Sequence, residues 1–208
     1  MILIGQYDSP YVRRVAITLR LYDMAYEHRP WSVWRDAEKI AALNPLRRVP
    51  TLLQSDGVVL VDTSSIIDAL DESAGAARAL LPESGPVRRE GLRLAALATG
   101  LADKAVSLLY ETLFHPTPSA TWSERCAGQI SDALRALEGE RGERATRYFL
   151  GPKLSHADVA FACAFRFVRE AHAGRVDTAR YQALNALSAD LEALPVFQAV
   201  YQPIVNNL

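Results

Sequence analysis

The feature that most constrains this chain is a change of pattern one third of the way along it. Up to about residue 74, apolar runs of strand length alternate with helical repeats. From Val87 onward no strand pattern recurs. Strands alternating with helices build a sheet layered with helices, whereas a run of amphipathic helices buries its apolar stripes on one another. Two parts of different architecture are therefore expected. The stretch between them contains Gly75, Pro82, Gly85 and Pro86 and reads as a linker.

In the first part, strands are expected at 2–5 and 26–31, and at 51–54 and 58–61. The last two flank Ser55-Asp56-Gly57, and an Asp-Gly between apolar runs is a strong hairpin signal. Helices are expected at 10–24 and 36–43, the second ended by Asn44-Pro45, and again up to Ala74 with Ile66, Ile67 and Leu70 on one face. The order is β-α-β-α-β-β-α, with a mixed sheet. In the second part, helices are expected at 87–115, 121–140, 155–171, 178–194 and 196–201. Ser155-His156-Ala157-Asp158 has capping-box spacing, and Leu154 and Val159 occupy the positions of a hydrophobic staple. His156 lies inside the box and is expected to be an exposed first-turn residue. The domain bounds are 1–76 and 87–208, with the linker at 77–86.

Composition excludes several functions. The 208 residues carry 23 basic and 24 acidic side chains, a net charge of −1, so neither nucleic acid nor an anionic membrane is an expected partner. No apolar run has the length of a membrane span, and the N-terminus lacks the order of a signal peptide. Cys126 and Cys163 stand in no metal or redox spacing and are expected to be packing residues. No metal site is expected, and a reducing, cytoplasmic setting fits this cysteine usage.

Three stretches can carry chemistry. Ser9-Pro10-Tyr11-Val12-Arg13-Arg14 lies where the first strand hands over to the first helix. Ser9 suits the N-cap and Pro10 the first helical position, and free N–H groups there favour an anion. Arg48-Val49-Pro50-Thr51 places a proline at the entrance of a strand. A cis bond there would leave the Val49 backbone free for an extended ligand, and a trans proline opening an edge strand is the other reading. Asp62-Thr63-Ser64-Ser65 opens a helix, where its hydroxyls and N–H groups suit a carboxylate and Asp62 suits an ammonium. Helix capping alone also accounts for the Ser9 and Asp62 clusters.

Together and in this order the three stretches, with Asn44-Pro45 and with Ile66 and Leu70, resemble the cytosolic glutathione S-transferases. The Ser155–Asp158 box is similar to that family's C-terminal helix cap. The Ser-Pro-aromatic start looks like serine-type bacterial and plant tau-like members. The resemblance implies a thioredoxin-like βαβαββα domain followed by an all-helical domain. It implies glutathione as co-substrate, no metal, a small hydrophobic electrophile and a homodimer. By this resemblance Ser9 hydrogen-bonds the glutathione sulfur, Val49 with a cis Pro50 pairs with the cysteinyl backbone, and Asp62 and Thr63 hold the γ-glutamyl end. Arg48 and Arg35 would lie near the glycine carboxylate, with Trp34 an equal candidate for that wall. Tyr11, Tyr110, Phe114 and Trp122 are candidates for the electrophile site between the domains, and core packing explains them as well.

The chain departs from the family in having Asp62-Thr63 where Glu or Gln followed by Ser is usual, so the ammonium contact could run through water. Tyr7 is an alternative to Ser9. The absence of cysteine at position 9 argues against glutaredoxin-like thiol exchange. His115, at a helix end, carries no expected catalytic role. Arg88, Arg89 and Arg93 read equally as a dimer interface or a solvated face. A zeta-type isomerase is a further reading, although its Ser-Ser-Cys start is missing. A non-catalytic glutathione-binding or protein-interaction module is another.

Overall fold

Four short strands form the sheet of the first unit: β1 (Ile2–Ile4), β2 (Glu27–Arg29), β3 (Thr51–Leu53) and β4 (Val59–Val61). The computed structural model describes residues 1–204. The sheet order is β2-β1-β3-β4, with β1 parallel to β2, antiparallel to β3, and β3 antiparallel to β4. Ile4 is registered with Thr51, and Thr51 with Val61. The hairpin forms at the Asp-Gly: Gly57 has φ +91°, and the Val58 N–H donates to Asp56 Oδ1 at 3.0 Å.

The unit's helices are α1 (Pro10–Leu21), α2 (Ala37–Ala41) and α3 (Thr63–Ala74). Helix α1 packs on α3 and is buried over most of its length, with Val12, Val15, Ala16 and Leu19 fully covered. This is the mixed, helix-layered sheet that the strand-helix alternation predicts.

The segment after α3 is better anchored than its glycines and prolines suggest. The Leu80 N–H donates to the Tyr22 hydroxyl at 2.8 Å, and that hydroxyl donates to Asp71. Arg78 Nη2 donates to the Tyr22 carbonyl. Met1–Leu80 form one compact unit together with residues 194–204, and Leu81–Ala193 form the other. The final helix among the described residues, α8 (Pro195–Gln198), packs on α1.

The second unit consists of α4 (Pro86–Phe114), α5 (Ala120–Gly142), α6 (His156–Ala171) and α7 (Gln182–Glu192). Helix α4 packs on α5 and α6, and α7 on the same two. Helix α6 is buried nearly all round, from His156 to Val168, as befits a central helix. Phe161 stands between Phe149, edge-on at 5.6 Å, and Phe165, stacked at 5.2 Å.

The α6 start corrects one expectation. His156 is 2% exposed, not a solvated first-turn residue. A central helix has its first turn covered as well, so the capping box is buried with it. Asp158 Oδ2 accepts the Ser155 N–H at 2.9 Å and its hydroxyl at 2.6 Å, while Oδ1 accepts the Phe149 N–H at 2.9 Å. Burial pushes the Asp158 carboxyl above its ordinary range, and these three bonds pull the other way.

Helix α7 has no cap from its own Tyr181. Glu138 of α5 replaces it, accepting the N–H groups of Ala183 and Leu184 at 2.9 Å each. A carboxylate on two orphan donors at the positive end of a helix is a favourable arrangement.

Candidate functional site

Ser9 is the N-cap of α1, with extended backbone angles of φ −64° and ψ 124°. Its Oγ accepts the Val12 N–H at 3.4 Å, and its carbonyl accepts the first helical bond from the Arg13 N–H at 3.0 Å. Capping uses a lone pair and leaves the hydroxyl hydrogen available. Among the described residues that hydrogen has no acceptor. The capping reading and the donor reading of Ser9 are therefore compatible.

Tyr7 has partners on β2 and just before it. Its hydroxyl meets that of Tyr26 at 2.8 Å, and its ring stacks on His28 at 3.8 Å with the planes 3° apart. Burial first, and the Tyr26 bond second, push its phenol well above the ordinary tyrosine range.

The Val49-Pro50 peptide is cis. The turn before it is braced by the buried Asn44, whose Nδ2 donates to the Arg48 carbonyl and to Thr51 Oγ1, both at 3.0 Å. Thr51 Oγ1 in turn donates to the same carbonyl at 3.0 Å. Among the described residues neither main-chain group of Val49 has a hydrogen-bond partner. This leaves an N–H and a C=O of the kind that strand-like ligands pair with.

Gly5 brings the two segments together. It closes β1 with φ +125°, and a β-carbon on it would lie 2.5 Å from Val12 Cγ2 and 2.8 Å from Val49 Cβ. The first turn of α1 and the Val49 loop therefore meet over a residue that only glycine can fill. Its N–H donates to the Arg29 carbonyl at 2.9 Å, and its carbonyl lies 2.7 Å from His28 Nε2.

At the third segment, Asp62 caps α3, accepting the Ser64 N–H at 2.8 Å from a left-handed backbone position of φ 68°. Its carboxylate is exposed, whereas Thr63 is buried. Arg35 and Arg48 are exposed and enter no ion pair among the described residues, unlike Arg47, which pairs with Glu38 at 3.0 Å. Trp34 is exposed as well.

Of the aromatic candidates, Tyr110 and Phe114 form an edge-to-face pair at 5.3 Å on α4. Trp122 is exposed and carries Lys104 Nζ 5.6 Å from its ring centroid. Tyr11 is half-buried on α1 in the first unit. His115 pairs with Glu111 at 3.0 Å, and of the early α4 arginines Arg93 is held by Glu90 and Glu140. Both cysteines are buried. No group of three or more metal-ligating side chains occurs among the described residues, and no helix there is long and apolar enough to cross a membrane.

Gly5, Asn44, Tyr26 and His28 shape the site without having been assigned a role in it from sequence. A single glycine between a strand and a Ser-Pro helix start was the signal available for Gly5.

A sheet unit with a hydroxyl at its first helix mouth, a cis-proline loop beside it and a helical unit after it define a thioredoxin-like two-part fold. The family profile described as glutathione S-transferase, N-terminal domain, matches residues 3–78, and that described as glutathione S-transferase, C-terminal domain, matches 120–201. The chain belongs to the glutathione S-transferase family. It is 29% identical over 205 residues to the maleylacetoacetate isomerase of Mus musculus, covering 95% of this chain and 90% of that one. It is 30% identical to a Vibrio cholerae protein named probable maleylacetoacetate isomerase, covering 95% and 93%. A glutathione S-transferase of Methylobacterium radiotolerans, solved with glutathione sulfonate, superposes with a TM-score of 0.89 at 26% identity, covering 100% of this chain and 98% of that one.

Proposed function

We propose that this chain binds glutathione and holds its sulfur as a thiolate on the Ser9 hydroxyl, for attack on small hydrophobic electrophiles. The observation that carries the reading is the pairing of two unspent groups across Gly5. They are the Ser9 hydroxyl hydrogen at the α1 mouth and the main-chain N–H and C=O of Val49. In this reading Val49, followed by Pro50, pairs with the cysteinyl backbone. Asp62 takes the γ-glutamyl ammonium and Thr63 stands beside it, while Arg48 and Arg35 face the glycine carboxylate. Tyr11, Tyr110, Phe114 and Trp122 receive the electrophile. The chain works as a homodimer, as its family does.

A free thiol titrates near 8.5, so little of it is ionised at neutral pH. A hydrogen bond to the charged sulfur and the positive end of α1 lower that value by about one to two units. The proton leaves to water. The sulfur then forms a bond to carbon, and the leaving group departs with its electron pair. With an organic peroxide the sulfur attacks an oxygen instead and breaks the O–O bond; the alcohol leaves once its alkoxide takes a proton, and the glutathione sulfenic acid so formed reacts with a second glutathione to give the disulfide and water.

Ser9→Ala tests this. The variant is expected to raise the bound thiol's apparent pKa by about one to two units and to lower turnover of an aryl halide at neutral pH about tenfold or more. An unchanged rate and an unchanged thiol pKa would refute it.

A second reading is favoured by the two relatives named as isomerases, each of which aligns over 95% of the chain. There the thiolate adds to a conjugated cis double bond, the bond rotates, and the sulfur leaves again. Isomerisation does not consume glutathione and conjugation does, so the fate of glutathione with each substrate class separates the two.

A further inference from the structure

The loop that carries Ser9 is anchored from outside at three points. His28 Nε2 approaches the Gly5 carbonyl at 2.7 Å, and the His28 ring supports Tyr7. The Tyr26 hydroxyl meets that of Tyr7 at 2.8 Å. The third anchor comes from the far end of the chain: the Tyr7 N–H donates to Gln202 Oε1 at 3.0 Å, across 195 positions of sequence.

The segment bearing Gln202 is itself fastened to α1. Arg13 Nε donates to the Val200 carbonyl at 3.3 Å, and its Nη2 donates to the Phe197 carbonyl at 3.0 Å. The same guanidinium lies 5.8 Å from the centroid of the Phe197 ring. Arg13 is 1% exposed, and Phe197 and Val200 are fully buried. A buried cation needs acceptors, and here the turn from Phe197 to Val200 supplies two of them.

These contacts bracket Ser9, one at Tyr7 just before it and the other at Arg13 in the first turn after it. A donor that must meet a sulfur within hydrogen-bond reach tolerates little drift, and a misplacement of about 1 Å can cost on the order of a hundredfold in rate. We propose that the segment from Leu194 to Gln202 is a working part of the thiol site, and that Gln202 is a positioning residue for the Ser9 hydroxyl. The proposal rests on the reading of Ser9 given above.

The test compares Gln202→Met, which keeps length and loses the acceptor, with Gln202→Glu, which keeps an acceptor, and with Ser9→Ala and the unmodified protein. For each, the thiolate absorbance of bound glutathione is titrated, kcat and KM for glutathione are measured with an aryl halide, and the melting temperature is recorded. Gln202→Met is expected to raise the bound thiol's pKa and to lower kcat about three- to tenfold, with a melting temperature within a few degrees of the parent. Gln202→Glu adds a charge that itself raises the thiol pKa, so its rescue is read as recovered kcat on the alkaline plateau of the pH profile. The proposal is overturned if Gln202→Met keeps the parent's thiol pKa and kcat while Ser9→Ala changes both, whatever the melting temperatures do. If Ser9→Ala changes neither, the reading of Ser9 itself fails and the proposal fails with it.

Discussion

Gly5→Ala is the sharpest probe of how the site is built. The residue sits at φ +125°, and a methyl there would press on Val12 Cγ2 at 2.5 Å and on Val49 Cβ at 2.8 Å. A side chain held in that backbone region costs about 1–3 kcal/mol. Forcing a methyl against two packed neighbours costs about another 1–3 kcal/mol. The sum is about 2–6 kcal/mol, a large part of the stability of an ordinary domain. Gly57→Ala provides the control, because Gly57 also has a left-handed φ, of +91°, but has nothing within 4 Å of the added carbon. It should therefore show the backbone cost alone. Urea unfolding of the two variants gives the difference, expected at about 1–3 kcal/mol. Because the clash pushes Val49 away from the α1 mouth, Gly5→Ala should also raise KM for glutathione, and Gly57→Ala should not. Equal destabilisation by the two variants, with an unmoved KM in both, would show that the close approach at Gly5 carries no weight.

Glu138→Ala should lower stability by about 1–2 kcal/mol by uncapping α7, and Glu138→Gln by about half as much, since one acceptor oxygen remains. Hydrogen exchange at the Ala183 and Leu184 amides checks this, and unchanged protection there would refute it. Burial holds His172 below its ordinary pKa, Arg175 adds to this, and the Ala105 carbonyl, 2.8 Å from Nε2, opposes it. The unfolded chain therefore takes up this proton first as pH falls, and stability is lost as pH drops below about 6.5. His172→Gln should flatten that limb of a melting-temperature profile, and an unchanged slope would count against the assignment.

What the sequence made legible is what short-range chemistry dictates. Ser9-Pro10 announced a helix mouth, Asp56-Gly57 a hairpin, and Ser155–Asp158 the start of α6, because a cap or a turn is written within four residues. The family resemblance added the cis peptide at Val49-Pro50, where residue type alone favoured trans. Features set by distant partners were not legible. His156 belongs to a polar turn in sequence, and only the central place of α6 buries it. Glu138 reads as one more solvated acid of α5 until α7 arrives with two orphan donors. The stretch after Gly75 looks loose because its anchor, Tyr22, lies 58 residues before Leu80. The meeting of the Tyr7 and Tyr26 hydroxyls, 19 positions apart, was likewise not legible.

The fastening of α1 by Phe197 and Val200, and of Tyr7 by Gln202, also bears on biosynthesis. On the ribosome β1, α1 and the rest of the sheet emerge well before the carbonyls that receive Arg13 and the amide oxygen that receives the Tyr7 N–H, which follow 184 to 195 positions later. The nascent sheet must wait for them with a buried-to-be guanidinium still wet, so this unit reaches its final form only after the whole of the second unit has been made.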